Sequence, residues 1–189
     1  YHYDWTERSY NENLKSDIPD LVGKISTIFA RTSLQIEGKT GSTELSFEPT
    51  ASIVNFYTTK SIMGGHRDDL ELALDKPIVS ISMGLPAVFL LGGRTKDDGP
   101  VLPILIRSGD VLCMGGTSRL NYHGMARLIP SPSIVPAPEN ECCPLPNHSI
   151  KISDVLCQKS ALSSDERDAL DSFLTDHRIN INVRQVFPS

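Results

Sequence analysis

The length, composition and charge of the chain exclude several classes of protein. Its 189 residues suit one domain with a sizeable core, so we predict a single domain over residues 1–189. The sequence contains no run of about 18 apolar residues, which a membrane-spanning helix would need. The net charge of -5 disfavours a broad basic face for nucleic-acid phosphates, so any such contact must be local.

The N-terminal residues 1–50 are predicted to form an extension that contains one helix. The sequence begins at Tyr1, with neither a methionine nor a basic and apolar leader, and we interpret it as a trimmed domain in which any targeting segment is not visible. Apolar residues recur at helical spacing from Ile18 to Phe29, which predicts a helix there. Residues 37–49 are rich in Gly, Ser, Thr and Glu and predict a loop.

From residue 51 onward, short β-like runs alternate with turn signals, and this rhythm predicts a β-sandwich or barrel. The predicted strands are Ser52–Tyr57, Ile78–Met83, Ala87–Leu91, Pro103–Ile106, Val111–Met114, Ala126–Ile129 and Arg178–Val186. We assign residues 51–130 and 178–186 to the core. Residues 131–177 are assigned to a Pro-rich insertion followed by a helix, which begins at the capping box of Ser163 and Glu166.

The four cysteines are interpreted as reduced thiols, since they are too few for a disulfide framework in a chain of this size. Cys142 and Cys143 are adjacent and do not form the spaced pair of a zinc ribbon. A zinc site made by Cys142, Cys143, His148 and Cys157 is kept as an alternative.

The last predicted strand has one polar face. Four polar side chains alternate with apolar ones and project from one side: Arg178, Asn180, Asn182 and Arg184. An edge strand with its polar face in water is one explanation. The other is a barrel interior that binds an anion, because guanidinium groups match carboxylates in a planar, bidentate way.

A candidate metal site begins at His66-Arg67-Asp68, after a predicted turn at Gly64-Gly65. Residues two apart in an extended segment project to the same side, so His66 and Asp68 can reach one metal. His123 opens a later β-like run and supplies a third ligand. Two histidines and one carboxylate leave positions open for a keto acid and O2, as in non-haem Fe(II) oxygenases. A surface turn with solvated charges is the alternative explanation.

The metal motif and the polar strand occur together with flanking motifs, and the combination resembles the AlkB family of Fe(II)/2-oxoglutarate-dependent dioxygenases. The motifs are Asn55-Phe56-Tyr57, His66-x-Asp68, Lys76 to Phe89, Ser108-Gly109-Asp110, Ser118 to Gly124 and Arg178-x-Asn180-x-x-x-Arg184. The likeness covers residues 51–130 and 178–186. The long segment 131–177 and the closing Val183-Arg184-Gln185-Val186 look like the eukaryotic AlkB homologue 1 branch.

The resemblance implies a fold and a set of site residues. The expected fold is mainly β with flanking helices, around a double-stranded β-helix (jelly-roll) core. The implied catalytic metal ligands for Fe(II) are His66, Asp68 and His123. The implied 2-oxoglutarate-binding residues are Asn55, Tyr57, Arg178, Asn180 and Arg184. The implied substrate-binding residues are Tyr1, Tyr3, Trp5 and Lys96. Packing of the aromatic rings on the core is an equal alternative, and a solvated loop is the default expectation for Lys96.

The resemblance also implies an activity, the oxidative demethylation of nucleic-acid bases with release of formaldehyde, succinate and CO2. The expected substrates are tRNA 1-methyladenosine, a modified tRNA cytosine or N6-methyladenine in DNA. The base must be unpaired or flipped out of a duplex, because a stacked base cannot enter such a pocket. We expect a monomer that binds no membrane and acts in the nucleus, the mitochondrion or both.

One departure from the bacterial AlkB pattern bears on the substrate. An acidic residue stands two positions beyond the metal-binding aspartate in the bacterial enzyme, and this chain has Leu70 there. A carboxylate that reads an exocyclic amine is therefore missing, and Asp69 and Glu71 are expected to point elsewhere. The alternatives that stay open are a protein (histone) hydroxylase or demethylase, a non-catalytic nucleic-acid-binding module and a zinc hydrolase.

Overall fold

A computed structural model describes residues 1–4, 6–11, 13–130 and 162–188 of the chain. Trp5 and most of the predicted insertion lie outside these ranges. The residues of the alternative zinc site also lie outside them: Cys142, Cys143, His148 and Cys157. Within the described ranges, no helix is long and apolar enough to cross a membrane.

Ten strands and two helices make up the described part of the chain. In chain order they are β1 (His2–Asp4), β2 (Ser9–Asn11), α1 (Asp20–Ile36), β3 (Ala51–Thr58), β4 (Met63–His66), β5 (Ile78–Gly84), β6 (Ala87–Leu91), β7 (Leu102–Ile106), β8 (Val111–Met114), β9 (His123–Leu128), α2 (Ser164–Leu174) and β10 (His177–Arg184). A short 3₁₀ turn, Gly116–Ser118, precedes β9.

The strands form two four-stranded sheets, ordered β3-β10-β5-β8 (the major sheet) and β4-β9-β6-β7 (the minor sheet). All neighbouring strands are antiparallel. Strands β1 and β2 pair separately and form the N-terminal hairpin. The predicted double-stranded β-helix with flanking helices is confirmed. The assignment of residues 1–189 to one domain, and its division into extension, core and insertion, stays a prediction.

The residues of β10 show that the two faces of the major sheet differ, one being apolar and the other polar. Its apolar Val183 packs with Ala30 of α1 and with Val79 of β5, so this face of the sheet is covered by the helix. The alternate polar residues of β10 project to the other face, toward the minor sheet, because side chains alternate along a strand. The edge-strand explanation is wrong, since β10 lies between β3 and β5.

Several local predictions need correction. Helix α1 runs from Asp20 to Ile36 rather than ending near Phe29, because the buried positions continue at intervals of one turn. The predicted turn at Gly64-Gly65 lies inside β4. Strand β9 begins three residues before the predicted start at Ala126.

The capping box before α2 is confirmed, since the Ser163 hydroxyl accepts from the Glu166 backbone N–H and the Glu166 carboxylate accepts from the Ser163 backbone N–H.

Candidate active site

The three predicted metal ligands converge between the sheets. His66 Nε2 lies 4.0 Å from Asp68 Oδ1, and His123 Nε2 lies 3.8 Å from Asp68 Oδ2. Each of the three residues offers a ligand atom within 4.8 Å of the others. The convergence follows from strand pairing, because His66 at the end of β4 is the register partner of His123 at the start of β9.

Backbone hydrogen bonds orient both imidazoles. His66 Nδ1 lies 3.0 Å from the carbonyl oxygen of Gly64, and His123 Nδ1 lies 3.1 Å from that of Asn121. A carbonyl oxygen only accepts, so each Nδ1 donates, and in the neutral ring the Nε2 lone pair is then left for a metal. Burial lowers the pKa of His123, which favours the neutral ring that a ligand needs.

A close approach of β9 to β4 fixes the distance between the two histidines. A Cβ added at Gly124 would lie 2.7 Å from the carbonyl oxygen of Met63, a backbone atom that cannot move aside. Only a residue without a side chain allows the strands to pair at this distance. Gly124 therefore positions His123 opposite His66.

The predicted 2-oxoglutarate-binding residues are cross-strand neighbours in the major sheet. Arg178 is the register partner of Tyr57, and Asn180 is that of Asn55. All four side chains line one cavity together with the metal triad. Asn180 Nδ2 donates to Ser80 Oγ at 2.6 Å, so this amide is already oriented.

Arg178 is a buried cation with uncharged partners. It is 4% exposed, and its guanidinium donates to Ser82 Oγ at 2.7 Å and to the Leu85 carbonyl at 3.3 Å. Within the described residues, no carboxylate lies at salt-bridge distance from it. Burial lowers the pKa of Arg178, and the nearby Tyr57 and Asp110 offset this effect only in part. A buried unpaired charge is costly, so this geometry favours an anionic ligand in the cavity.

Arg184 lies at the metal end of β10 and is bound by two carboxylates. Its Nη2 donates to Asp68 Oδ2 at 3.2 Å and its Nη1 donates to Glu71 Oε1 at 2.7 Å. Burial alone would lower the pKa of Arg184, but Asp68 and Glu71 raise it. The buried Arg184 Nε has no hydrogen-bond partner within the described residues.

Three residues that the sequence did not assign support this arrangement: Tyr10, Glu71 and Arg119. Glu71 is 2% exposed and binds Arg184 through one oxygen and Arg119 Nη2, at 3.0 Å, through the other. Arg119 also donates to the Asp68 backbone carbonyl at 2.5 Å and to that of Lys76 at 3.0 Å. Burial alone would raise the pKa of Glu71, but Arg184, Tyr10 and Arg119 outweigh burial and lower it.

The cavity between the sheets has a volume of about 500 Å³, which is in the range of small-molecule sites. Its lining includes Tyr3, Arg8 and Tyr10 of the N-terminal hairpin, and Leu70. Asp69 pairs with Arg67 at 3.2 Å and does not line the cavity, whereas Glu71 lines it and binds Arg184 at 2.7 Å.

Of the predicted substrate residues that the structure describes, Tyr1 and Lys96 lie outside the cavity lining. The Tyr1 ring packs edge-on against Phe187, with centroids 4.8 Å apart. The exposed Lys96 ammonium lies 5.8 Å from the centroid of the Tyr122 ring, and the Arg67 guanidinium lies 5.3 Å from it. Arg67 also lines the cavity. The structure thus brings Tyr3 to the cavity and places Lys96 beside it, but it does not bring Tyr1 there.

The residues present fit Fe(II) and a dicarboxylic keto acid. Two neutral imidazoles and a carboxylate form the ligand set of non-haem Fe(II) oxygenases. In the same cavity, the unpaired charge of Arg178 suits a carboxylate group. A zinc hydrolase would leave both arginines without a ligand.

Comparison with known proteins identifies the class. Residues 1–184 match the sequence profile of the 2OG-Fe(II) oxygenase superfamily, and the chain belongs to this family. Its members use Fe(II), 2-oxoglutarate and O2, so the predicted cofactors are confirmed at the level of the family.

Individual relatives place the chain more narrowly. The protein of Arabidopsis thaliana named DNA N(6)-methyladenine demethylase ALKBH1A is 36% identical over 98% of this chain and 46% of its own length. The tRNA demethylase abh1 of Schizosaccharomyces pombe is 30% identical over 99% of this chain and 51% of its own length. The solved structure of OsALKBH1 superposes with a TM-score of 0.62 and 25% identity, covering 97% of this chain and 74% of that one. The predicted AlkB homologue 1 branch is confirmed, and the chain spans about half the length of these two curated relatives.

Proposed function

We propose that this chain is the catalytic domain of an Fe(II)- and 2-oxoglutarate-dependent dioxygenase that removes methyl groups from nucleic-acid bases. One observation carries the proposal: a two-histidine, one-carboxylate cluster and the unpaired buried Arg178 share a single cavity. The names of the relatives, one a DNA demethylase and the other a tRNA demethylase, support a nucleic-acid substrate.

Each proposed residue has a task that its position allows. His66, Asp68 and His123 hold the metal. Fe(II), 2-oxoglutarate and O2 would supply the oxidising power to hydroxylate an N-methyl carbon, with formaldehyde, the demethylated base, succinate and CO2 as the products. Arg178 binds the carboxylate of 2-oxoglutarate that lies far from the metal, since it stands at the opposite end of β10 from Arg184.

Asn55, Tyr57 and Asn180 complete the co-substrate site by lining the same wall of the cavity. Arg184 holds the Asp68 carboxylate through its Nη2. These groups lie between the two sheets, where they can place the methyl carbon close to the oxidising centre, as hydrogen abstraction requires.

The cavity mouth has features that suit a nucleic-acid strand. Arg8 lies on the hairpin side, and Arg67 and Lys96 lie near the ring of Tyr122. These cations supply local positive charge near the cavity on a chain whose net charge is -5, and Arg67 also pairs with Asp69. A local patch suits phosphates that flank one unpaired or flipped base, whose ring stacks on Tyr3.

Nucleoside analysis tests the proposal. Samples of tRNA and DNA are incubated with wild type or His66→Ala in the presence of Fe(II) and 2-oxoglutarate, and their nucleosides are quantified by mass spectrometry. We expect one methylated nucleoside to fall with the wild type alone, with an equal amount of formaldehyde formed. Loss of methyl groups from a histone peptide, with no change in tRNA or DNA, would favour the protein demethylase, which the apolar Leu70 and the acidic net charge leave open.

The proposal extends to assembly and cellular location. From the family resemblance we propose a monomer that acts in the nucleus, the mitochondrion or both. Analytical ultracentrifugation of the loaded protein and fractionation of cells that express the tagged full-length protein test these two statements.

A further inference from the structure

We infer that Tyr10 is a positioning residue for the proposed reaction, because its hydroxyl joins the N-terminal hairpin to the metal ligand Asp68 through Glu71 and Arg184. The inference rests on the proposed function, since it assigns Asp68 to the metal. One hydrogen-bond network then connects the hairpin, on the substrate side of the cavity, with the Asp68 carboxylate on the metal side.

The network consists of short contacts between buried or half-buried groups. The Tyr10 hydroxyl donates to Glu71 Oε1 at 2.8 Å, and Arg184 Nη1 donates to the same oxygen at 2.7 Å. Arg184 Nη1 also lies 3.3 Å from the Tyr10 hydroxyl oxygen, so the three groups form a triangle. The other terminal nitrogen of Arg184 donates to Asp68 Oδ2, the oxygen that faces His123.

A second arginine fixes the position of Glu71 relative to Asp68. Arg119 binds the remaining oxygen of Glu71 and the backbone carbonyl of Asp68. The Glu71 carboxylate and the Asp68 backbone are therefore held relative to each other. What remains to be set is the position of the Arg184 guanidinium, and Tyr10 contributes to it from the hairpin. Burial raises the pKa of Tyr10, so its hydroxyl keeps the proton that it donates.

The hairpin needs such a contact. Its strands have three residues each, and an isolated two-stranded hairpin is marginally stable in water. Tyr10 is the register partner of Tyr3, and their rings meet edge-on with centroids 5.2 Å apart. The hydrogen bond of Tyr10 thus also positions Tyr3, whose ring lines the cavity.

Coupling through such a network is reciprocal. If the docked hairpin favours the arrangement of Arg184 and Asp68 that binds the metal, then binding of the metal and 2-oxoglutarate must favour the docked hairpin. A tyrosine that served only to attach the hairpin would not affect the affinity of the metal site.

The experiment compares the wild-type chain with Tyr10→Phe, which keeps the ring but removes the hydroxyl. Ser9→Ala is the matched control, since it removes an exposed hydroxyl from the neighbouring position of β2. Two quantities are measured: the dissociation constant of Mn(II), a redox-inert substitute for Fe(II), in the presence of 2-oxoglutarate, and hydrogen–deuterium exchange of the β1 and β2 amides with and without both ligands.

We expect Tyr10→Phe to weaken Mn(II) binding by about fivefold or more and to speed exchange in the hairpin, while Ser9→Ala does neither. Loading should slow hairpin exchange in the wild type and not in Tyr10→Phe. Faster exchange in Tyr10→Phe with an unchanged Mn(II) constant would overturn the inference, and so would no change in either quantity. A wild-type chain that binds no Mn(II) would instead refute the proposed function on which the inference rests.

Discussion

Glu71 binds two buried arginines, and its replacement by glutamine should cost the fold much of its stability. The Arg184–Glu71 contact is 2.7 Å long and its side chains are 6% and 1% exposed. The amide of Glu71→Gln keeps one acceptor oxygen, so it can serve either Arg184 or Arg119 but not both. Breaking a buried pair by removing one partner costs about 3–5 kcal/mol, a large part of the roughly 5–15 kcal/mol that stabilises an ordinary domain.

A neighbouring ion pair provides the control. Arg67 and Asp69 are 3.2 Å apart, but their side chains are 38% and 39% exposed. Exposed pairs contribute about 0–1 kcal/mol, so Asp69→Asn should change stability little. The free energy of unfolding of the wild type, Glu71→Gln and Asp69→Asn is measured by urea denaturation, because urea is uncharged and does not screen the ion pairs. A loss below about 1 kcal/mol for Glu71→Gln, equal to that of an exposed pair, would refute the assignment of Glu71 as a buried anchor.

The same comparison predicts a pH dependence. The pKa of Glu71 is lower in the folded chain than its ordinary value of 4.5. A carboxylate with a lowered folded pKa adds stability above its unfolded pKa and loses it as the pH falls through the folded one. The stability difference between wild type and Glu71→Gln should therefore be constant near neutral pH and shrink below about pH 4.5. A difference that grows on acidification would contradict this.

Further variants test the other parts of the site. Arg178→Gln should raise the KM for 2-oxoglutarate by about tenfold to hundredfold, which corresponds to the loss of a hydrogen bond to a charged group. The control Arg127→Gln, on the exposed side of β9, should leave this KM unchanged. Equal KM values for Arg178→Gln and the wild type would contradict the role of Arg178. Gly124→Ala should weaken Mn(II) binding in calorimetric titration, because its Cβ meets the Met63 backbone, while Gly65→Ala, whose Cβ meets nothing within 4 Å, should bind normally. Leu70→Asp should shift demethylation from neutral toward cationic methylated bases in competition assays, since it adds a carboxylate to the cavity lining; an unchanged ratio would refute a role for Leu70 in selectivity.

The sequence predicted the parts of the site that depend on local periodicity. Residues two apart share a face of a strand, so alternation alone groups Arg178 with Asn180 and Arg184, and it groups His66 with Asp68. The positions of Asn55 and Tyr57 opposite Asn180 and Arg178 depend on strand pairing, and they came from the family resemblance alone.

The residues that sequence analysis missed depend on contacts between distant segments. Tyr10 and Glu71 are 61 positions apart, and Arg119 lies 48 positions from Glu71. No local pattern marks such contacts, although Arg119 stands inside the motif that contains His123. Likewise, the central position of β10 is set by its pairing with β3 and β5, which alternation along one strand cannot reveal.

Short elements were missed for another reason. Strands β1, β2 and β4 have three or four residues each, too few for an alternation to stand out. The true end of α1 did have a signal, since Ser26, Ala30 and Leu34 continue the buried stripe at intervals of four residues.

Turnover of 2-oxoglutarate tests the central claim most directly. Succinate is measured after incubation with Fe(II), O2 and tRNA for the wild type, for Asp68→Asn and for Asp69→Asn, which changes the adjacent carboxylate outside the triad. We predict that wild type and Asp69→Asn form succinate and that Asp68→Asn does not. Equal succinate formation by Asp68→Asn, or none by the wild type loaded with Fe(II), would contradict the assignment of His66, Asp68 and His123 as the iron site.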